Sequence, residues 1–128
     1  EIAVVHNYIA LSKIQLEKRL HYKELVATDV LHLEVPPMLI QMLIENAIKH
    51  GIATLKDGGS VRLEIKKSNS QMIIIVTNDG NLTSTTTGTQ IGVENIKQRL
   101  QLLYDDQARF ELAENNGKVI AKVEIPLR

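Results

Sequence analysis

The side chains best suited to chemistry lie on the polar face of one amphipathic helix, predicted over residues 36–51. At about 100° per residue, six aliphatic side chains share one face of this helix: Leu39, Ile40, Leu43, Ile44, Ala47 and Ile48. The other face combines a carboxylate, two amides, an ammonium and an imidazole, which belong to Gln41, Glu45, Asn46, Lys49 and His50. Such a face could bind phosphate and a metal ion. The simpler alternative is a core helix whose solvent-exposed face happens to be mixed.

Two glycine-containing segments lie further along the chain. The first, Asn78-Asp79-Gly80-Asn81-Leu82, ends an aliphatic run at residues 72–76. The second extends from Gly88 through Gly92 to Asn95, where a helix over residues 93–104 is predicted. The apolar residues of this helix are Val93, Ile96, Leu100 and Leu103, with Leu102. Amide N–H groups at a helix N-terminus bind phosphate well. The polar stretch between them, residues 82–90, predicts either a lid or a flexible surface loop.

Composition excludes several classes of function. The 128 residues fit one domain, and 15 basic residues balance 15 acidic ones, so no basic stripe suggests nucleic acid. The absence of cysteine excludes disulfides, thiolate metal sites and a cysteine nucleophile. No apolar run approaches the roughly 18 residues of a membrane span, so no direct membrane contact is expected. Because the sequence opens inside a helical pattern, we expect a piece of a longer protein with a possible anchor upstream.

The remaining elements must position these polar groups. Helical periodicity covers residues 1–20, and strands are predicted at residues 22–26, 61–66, 71–77, 108–113 and 118–125. Residues 31–35 lead extended into Pro36 and Pro37, which start the central helix, and Gly51 ends it. The strand at residues 22–26 is predicted at an edge of the sheet, and those at 61–66 and 71–77 are predicted to pair as an antiparallel hairpin. The run at residues 72–76 predicts a central strand covered on both faces, and Asn116-Gly117 predicts a second hairpin turn. This order predicts an α/β (α+β) two-layer sandwich, with a mixed, mainly antiparallel sheet, helices on one face and a preceding N-terminal helix.

The central helix also carries a family resemblance. The string Pro36-Pro37, Gln41 and Glu45-Asn46-Ala47-Ile48-Lys49-His50-Gly51 resembles the N box of LytS-type sensor histidine kinases. Those kinases share an ATP-binding fold, the Bergerat or GHKL fold, with type II topoisomerases, mismatch-repair ATPases and the ninety-kilodalton heat-shock chaperone. The resemblance spans essentially the whole chain and agrees with the order of elements above.

The resemblance implies a role for each polar residue of the N box. Asn46 would coordinate Mg²⁺ through its amide oxygen, a hard ligand for a hard cation. Glu45 would act through a metal-bound water or help to activate the acceptor imidazole. Lys49 and His50 would face the phosphates of ATP, with Lys49 as the main charge partner. Glu45 and Asn46 are therefore the candidate catalytic residues.

The two glycine segments match the family's nucleotide boxes with substitutions. Asn78 stands where the family has the carboxylate that accepts from adenine's exocyclic amine; Gly80 matches, and Leu82 replaces the second glycine. An amide oxygen can still accept that bond, at a cost of about 1 kcal/mol. In the second box Gly88, Gly92 and Asn95 match, whereas Gln90 replaces the middle glycine. We therefore expect the chain to bind ATP weakly.

The resemblance implies the catalytic ATP-binding domain of a two-component sensor histidine kinase. Residues 1–21 would be the tail helix of the dimerisation and histidine-acceptor region, and residues 22–128 the ATP-binding domain. With Mg-ATP, it would phosphorylate an upstream histidine, for relay to an aspartate of a response regulator. The full protein would be a homodimer and a membrane-anchored sensor, with this segment cytoplasmic. Without the acceptor histidine, this segment alone would be inactive.

Several residues admit two interpretations. His6 is predicted to be a surface or interface histidine, because its neighbours do not resemble the family's acceptor segment, and His21 and His32 are predicted to lie on the surface. Lys97 and Arg99 could add positive charge near the phosphates, or Arg99 could pair with a structural carboxylate. Tyr104 and Phe110 are predicted to be core residues.

Two rival functions remain open. One is a pseudokinase domain that has lost nucleotide binding and acts as a docking or dimerisation module, for which the substitutions in the two glycine boxes are evidence. The intact Glu45-Asn46 pair argues against it. The other is a topoisomerase-like ATPase, which the short chain and the sequence of residues 95–100 disfavour.

Overall fold

The computed structural model describes residues 2–16, 20–27, 35, 38–50, 59–80 and 87–126, with side chains described for these except at 13–16, 49–50 and 87–91. The elements follow the chain as α1 (Ile2–Leu16), β1 (Leu20–Val26), α2 (Leu39–His50), β2 (Gly59–Ser68), β3 (Gln71–Asp79), α3 (Thr87–Tyr104), β4 (Arg109–Asn115) and β5 (Lys118–Pro126). A short 3₁₀ turn, Asp105–Gln107, separates α3 from β4. Within the described ranges, none of the helices combines the length and apolar character that a membrane span requires.

In the described part of the chain, five strands form one mixed sheet in the order β1-β2-β3-β5-β4. The edge strand β1 pairs with β2 in parallel, while the other three pairings are antiparallel. Asn116 and Gly117 have φ values of 53° and 76°, the positive values that a type I′ turn requires. The predicted edge strand, both predicted hairpins and the mainly antiparallel sheet are confirmed.

Strand β3 is central, as predicted, but only one of its faces is fully covered. Met72, Ile74 and Val76 are buried, whereas Ile73 and Ile75 are partly exposed. This alternation follows from the two-layer architecture, because residues two apart share a face and the helices cover one side of the sheet. The expectation that both faces of this strand are covered was wrong.

The apolar face predicted for α2 forms the centre of the core. All six of its aliphatic side chains are at most 6% exposed, and they pack with residues of α1, α3 and the sheet: Leu39, Ile40, Leu43, Ile44, Ala47 and Ile48. Burying each large aliphatic side chain contributes about 1.5–3 kcal/mol. The flanking Pro36, Pro37 and Gly51, the extended stretch at 31–34, Asn81, Leu82 and His32 lie outside the described residues.

The apolar stripe of α3 differs from the prediction at its C-terminal end. Ile96 and Leu100 are buried and Tyr104 is partly buried, so the stripe follows steps of four residues. Leu103, predicted to share this face, is 46% exposed, and Leu102 is 85% exposed. Steps of four keep Tyr104, and not Leu103, above the sheet. Phe110 is partly buried against the same core.

Helix α1 is joined to the same core and to the edge of the sheet. Val5 and Ile9 are buried among the residues of the common core. On the surface, His6 Nε2 lies 2.9 and 3.0 Å from the two carboxylate oxygens of Glu24 in β1, and the Tyr22 hydroxyl donates to Glu24 at 2.8 Å. Burial, together with this hydrogen bond, raises the pKa of Tyr22. His6 is therefore the surface histidine expected. The helix predicted through residue 20 was wrong at its end, because α1 is described as far as Leu16 and both Leu20 and His21 belong to β1. The domain boundary at residue 21 stays a prediction.

Candidate functional site

The candidate site lies where α2 packs against α3, and its centre is the side chain of Asn46. A Cβ atom built at Gly92 of α3 would lie 2.5 Å from Asn46 Oδ1 and 2.8 Å from Nδ2. Real Cβ atoms do not approach other heavy atoms so closely. The amide of Asn46 therefore occupies space that only a glycine at position 92 leaves open. This contact brings together two of the predicted site residues.

A second contact defines how the two helices pack. Arg99 Nη1 donates to Met42 Sδ at 3.5 Å. Met42 precedes Asn46 by about one helical turn and Arg99 follows Gly92 by about two, so α2 and α3 run antiparallel along this seam. The described contact of Arg99 is thus with a thioether and not with a structural carboxylate. Sequence analysis did not single out Met42, although its position four residues before Asn46 would have placed it on the same face.

Glu45, the other predicted catalytic residue, lies on the side of α2 that adjoins α1. Gln41 Nε2 lies 3.5 Å from Glu45 Oε1, and Gln41 Oε1 is buried with no hydrogen-bond partner among the described residues. Burial raises the pKa of Tyr8 in α1; a hydrogen bond from Ser12 opposes this, and the charge of Glu45 adds to it. The structure therefore separates the predicted catalytic pair, with Asn46 beside α3 and Glu45 near Tyr8.

The second glycine box is helical and does not form a loop before the helix. Helix α3 begins at Thr87, so Gly88 lies in its first turn and Gly92 in its second. The prediction that residues 87–90 belong to a loop, either a lid or a flexible surface loop, was wrong. Gln90 provides a physical reason, because glutamine is more favourable than glycine in a helix by close to 1 kcal/mol. The first turn of α3 contains no acidic residue, so nothing in that turn opposes an anion.

Asn78 ends the buried row of side chains on β3. It is 6% exposed, and its Nδ2 donates to the backbone carbonyl oxygen of Asp79 at 2.9 Å. Gly80 follows with a φ of 132°, which L side chains rarely adopt, and its N–H donates to the carbonyl oxygen of Gly117 at 2.9 Å. The first glycine box therefore places a buried amide at the end of the central strand, followed by a glycine in a conformation that other residues rarely adopt.

The carboxylate of Asp79 connects β3 to its two neighbouring strands. Lys118 Nζ donates to Asp79 Oδ1 at 2.6 Å and the backbone N–H of Ser60 donates to Oδ2 at 2.8 Å. Asp79 thereby joins β3 to the first residues of both neighbouring strands. These contacts explain why the carboxylate at position 79 does not substitute for the one missing at position 78.

The environment of Asp79 predicts a pH-dependent contribution to stability. The hydrogen bond from Lys118, followed by that from Ser60, holds the pKa of Asp79 below its ordinary value. A lowered pKa in the folded state stabilises the fold above the unfolded pKa of about 3.9, and this stabilisation disappears as pH falls through the folded value. Because Asp79 and Lys118 are 33% and 52% exposed, we expect no more than about 1 kcal/mol. Urea unfolding of the wild type and Asp79→Asn from pH 7 to pH 2 should show their difference shrinking below about pH 4; a constant difference would contradict this.

For the other predicted site residues, the structure gives a position in the fold but no contact with the rest of the candidate site. Lys49 and His50 form the end of α2, and Gly88 lies at the start of α3, but the side chains of Lys49 and His50 lie outside the description. Asn95 is exposed and lines a groove of about 340 Å³ with other residues of α3, namely Gln98, Arg99, Leu102 and Leu103. Lys97 is exposed. Their contacts with nucleotide stay predictions.

Several curated relatives of this chain are sensor histidine kinases. LytS of Enterococcus faecalis is 30% identical over 142 residues, which cover 99% of this chain and 24% of that protein. YesM of Bacillus subtilis is 27% identical over 111 residues, covering 83% and 19%. LytS of Staphylococcus aureus, a sensor histidine kinase/phosphatase, is 29% identical over 125 residues, covering 87% and 21%. The chain thus spans about a quarter or less of these relatives. No family model matches it.

Solved structures show the same fold. The catalytic domain of histidine kinase ThkA matches with a TM-score of 0.72 at 14% identity, over 97% of this chain and 92% of that one. The histidine kinase AdeS of Acinetobacter baumannii matches with a TM-score of 0.68 at 14% identity, over 98% and 64%. The chain therefore has the fold of a histidine kinase catalytic domain, a two-layer sandwich with an N-terminal helix. Together with the relatives, this fold confirms the resemblance to LytS-type sensor histidine kinases.

Proposed function

From its sensor histidine kinase relatives and its histidine kinase catalytic-domain fold, we propose that this chain binds Mg-ATP and provides the γ-phosphoryl group for an upstream histidine. The observation that supports this proposal most directly is the contact between Asn46 and Gly92. It places an amide oxygen at the seam between α2 and α3, close to the N-terminal turns of α3. A structural core helix has no need of that arrangement.

The donor chemistry at this seam fits a magnesium ion that arrives with a triphosphate. Mg²⁺ prefers oxygen ligands and usually keeps several waters, binding one or two protein groups plus the phosphates. Asn46, whose amide occupies the space that a Cβ at position 92 would fill, would hold it through Oδ1. The metal would neutralise phosphate charge. The protein's own contribution is to hold that oxygen in place.

The phosphates and the base would be bound by elements on either side of Asn46. The unpaired N–H groups in the first turn of α3, including that of Gly88, would donate to the phosphates, helped by Lys49 and His50. Asn78 would accept from the exocyclic amine of adenine, while Gly80 allows the backbone to close on the base. Asn95 would complete the site from the third turn of α3.

In the whole protein, we place residues 1–21, which contain α1, at the end of the dimerisation and acceptor region, and residues 22–128 as the ATP-binding domain. Glu45 would act through a metal-bound water or on the acceptor imidazole, and its position near Tyr8 of α1 favours the second role. The phosphoryl group would pass to an aspartate of a response regulator. The protein would be a homodimeric, membrane-anchored sensor with this segment in the cytoplasm.

Labelled ATP should mark the upstream histidine and then the regulator; an unlabelled full-length protein would contradict this.

A titration of this chain with ATP, with and without Mg²⁺, tests the proposal. We expect saturable, magnesium-dependent binding with a Kd of order 10⁻⁴ M, or about −5.5 kcal/mol. Amide shifts should concentrate at Gly80 and in the first two turns of α3. A folded sample that binds no nucleotide at millimolar concentration would overturn the proposal in favour of a docking module, since the Asn78 substitution already weakens the site.

A further inference from the structure

The residue proposed to read the base is an amide, and an amide offers chemistry that a carboxylate lacks. A carboxylate can only accept hydrogen bonds, whereas the Asn78 side chain has one acceptor oxygen and an NH₂ group with two hydrogens. Only one described bond uses that NH₂ group, the donation to the Asp79 carbonyl oxygen at 2.9 Å. One N–H and the oxygen of Asn78 can therefore both interact with a base.

The surroundings of Asn78 explain why the neutral residue is retained there. Asn78 is 6% exposed, and a buried charge requires a partner. The neighbouring Asp79 already carries a negative charge, which Lys118 and the N–H of Ser60 stabilise. A carboxylate at position 78 would be a buried charge in the core-facing row of β3, on the face opposite Asp79. In this chain the negative charge of the first glycine box belongs to Asp79, which is bound by residues of the sheet. The residue proposed to contact the base, Asn78, is neutral.

We propose that this chain binds 6-oxo purine nucleoside triphosphates about as well as ATP. The inference rests on the proposed function, because it assumes that position 78 faces the 6-substituent of the base. Asn78 can accept from a 6-amino group through Oδ1 or donate to a 6-oxo group through Nδ2. A carboxylate in that place would leave its lone pairs facing those of the 6-oxo group, without a hydrogen between them.

Competition between ATP and ITP measures this preference at one edge of the base. ITP has a 6-oxo group and an N1–H donor where ATP has a 6-amino group and an N1 acceptor, and unlike GTP it adds no 2-amino group. The Kd of each nucleotide is measured on this chain with Mg²⁺, by calorimetry and by displacement of a fluorescent ATP analogue. Because Asn78 makes one neutral hydrogen bond to either base, we expect the two Kd values to agree within about tenfold.

A double variant, Asn78→Asp with Asp79→Asn, exchanges the two side chains and tests whether the ratio of the ATP and ITP Kd values is set by position 78. It keeps one carboxylate in the box and moves it to the base-reading position. We expect ATP to bind about tenfold more tightly, through a charge-assisted bond, and ITP to bind at least about tenfold more weakly. Asp79→Asn alone is the matched control, and its ratio of Kd values should equal that of the wild type.

The outcomes separate this inference from the proposed function. Wild-type binding of ATP more than about tenfold tighter than that of ITP would overturn the inference and leave the function standing. A folded protein that binds neither nucleotide would overturn both. The wild-type ratio decides the question even if the exchange variant fails to fold, and thermal unfolding of each protein establishes which case applies.

Discussion

Asn46→Ala should lower the affinity for Mg-ATP by at least about 100-fold, because mutation even of groups that support a metal ligand typically costs 10–100-fold. The substitution removes the oxygen proposed to hold the metal, at the place where its amide packs against Gly92. Calorimetric titration with ATP and Mg²⁺ measures the effect. The residual binding should no longer depend on magnesium, because base and phosphate contacts remain.

Asn115→Ala is the matched control for this prediction. Asn115 is an exposed amide at the end of β4, so the same chemical change there should leave nucleotide affinity unaltered. Thermal unfolding of both variants establishes that each is folded. In the full-length protein, signalling that survives Asn46→Ala unchanged would contradict the catalytic assignment.

Gly92→Ala should weaken nucleotide binding without lowering the stability of the fold. Alanine is more favourable than glycine in a helix by about 0.8–1 kcal/mol. Its Cβ would overlap the side chain of Asn46, however, with the nearest atom at 2.5 Å. The atoms in the way are the far end of a rotatable side chain, so Asn46 can turn aside and the fold can survive. We expect an unchanged or higher melting temperature and an affinity for Mg-ATP reduced at least about tenfold, as for a misplaced metal ligand.

The combination of results distinguishes this explanation from general damage. A lower melting temperature together with weaker binding would mean that α3 has moved, not Asn46. Unchanged binding with unchanged stability would mean that the position of the Asn46 amide does not matter for nucleotide. The double variant with Asn46→Ala should bind no more weakly than Asn46→Ala alone, because both changes act on the same side chain.

Local patterns were sufficient where one element determines the outcome. The apolar face of α2 was predicted residue by residue and is buried residue by residue, because helix geometry alone fixes which side chains share a face. The turn at Asn116 and Gly117 was equally predictable, since its two positive φ values suit these residue types. The N box could be recognised in the sequence for the same reason, because its residues lie in one short helix.

Predictions failed where neighbouring elements compete. Helix α3 starts at Thr87, within residues interpreted as a lid or a flexible loop, and only the replacement of a glycine by Gln90 favours a helix there. Leu103 fits a helical stripe in the sequence, but the sheet lies below Tyr104. Which of two plausible stripes is buried depends on the direction in which a helix crosses the sheet, and no local pattern contains that direction.

The sequence by itself determined the elements, the central position of β3, the residues of the core face and the polar residues available for chemistry. Only the tertiary structure decided which partner each polar residue meets. Glu45 and Asn46 are adjacent in the chain and about 100° apart on the helix, yet one lies near Tyr8 of α1 and the other against Gly92 of α3. That assignment depends on which helix packs on each side of α2, a consequence of contacts between segments distant in sequence. The same holds for Asp79, whose charge is bound by Lys118 through the pairing of β3 with β5.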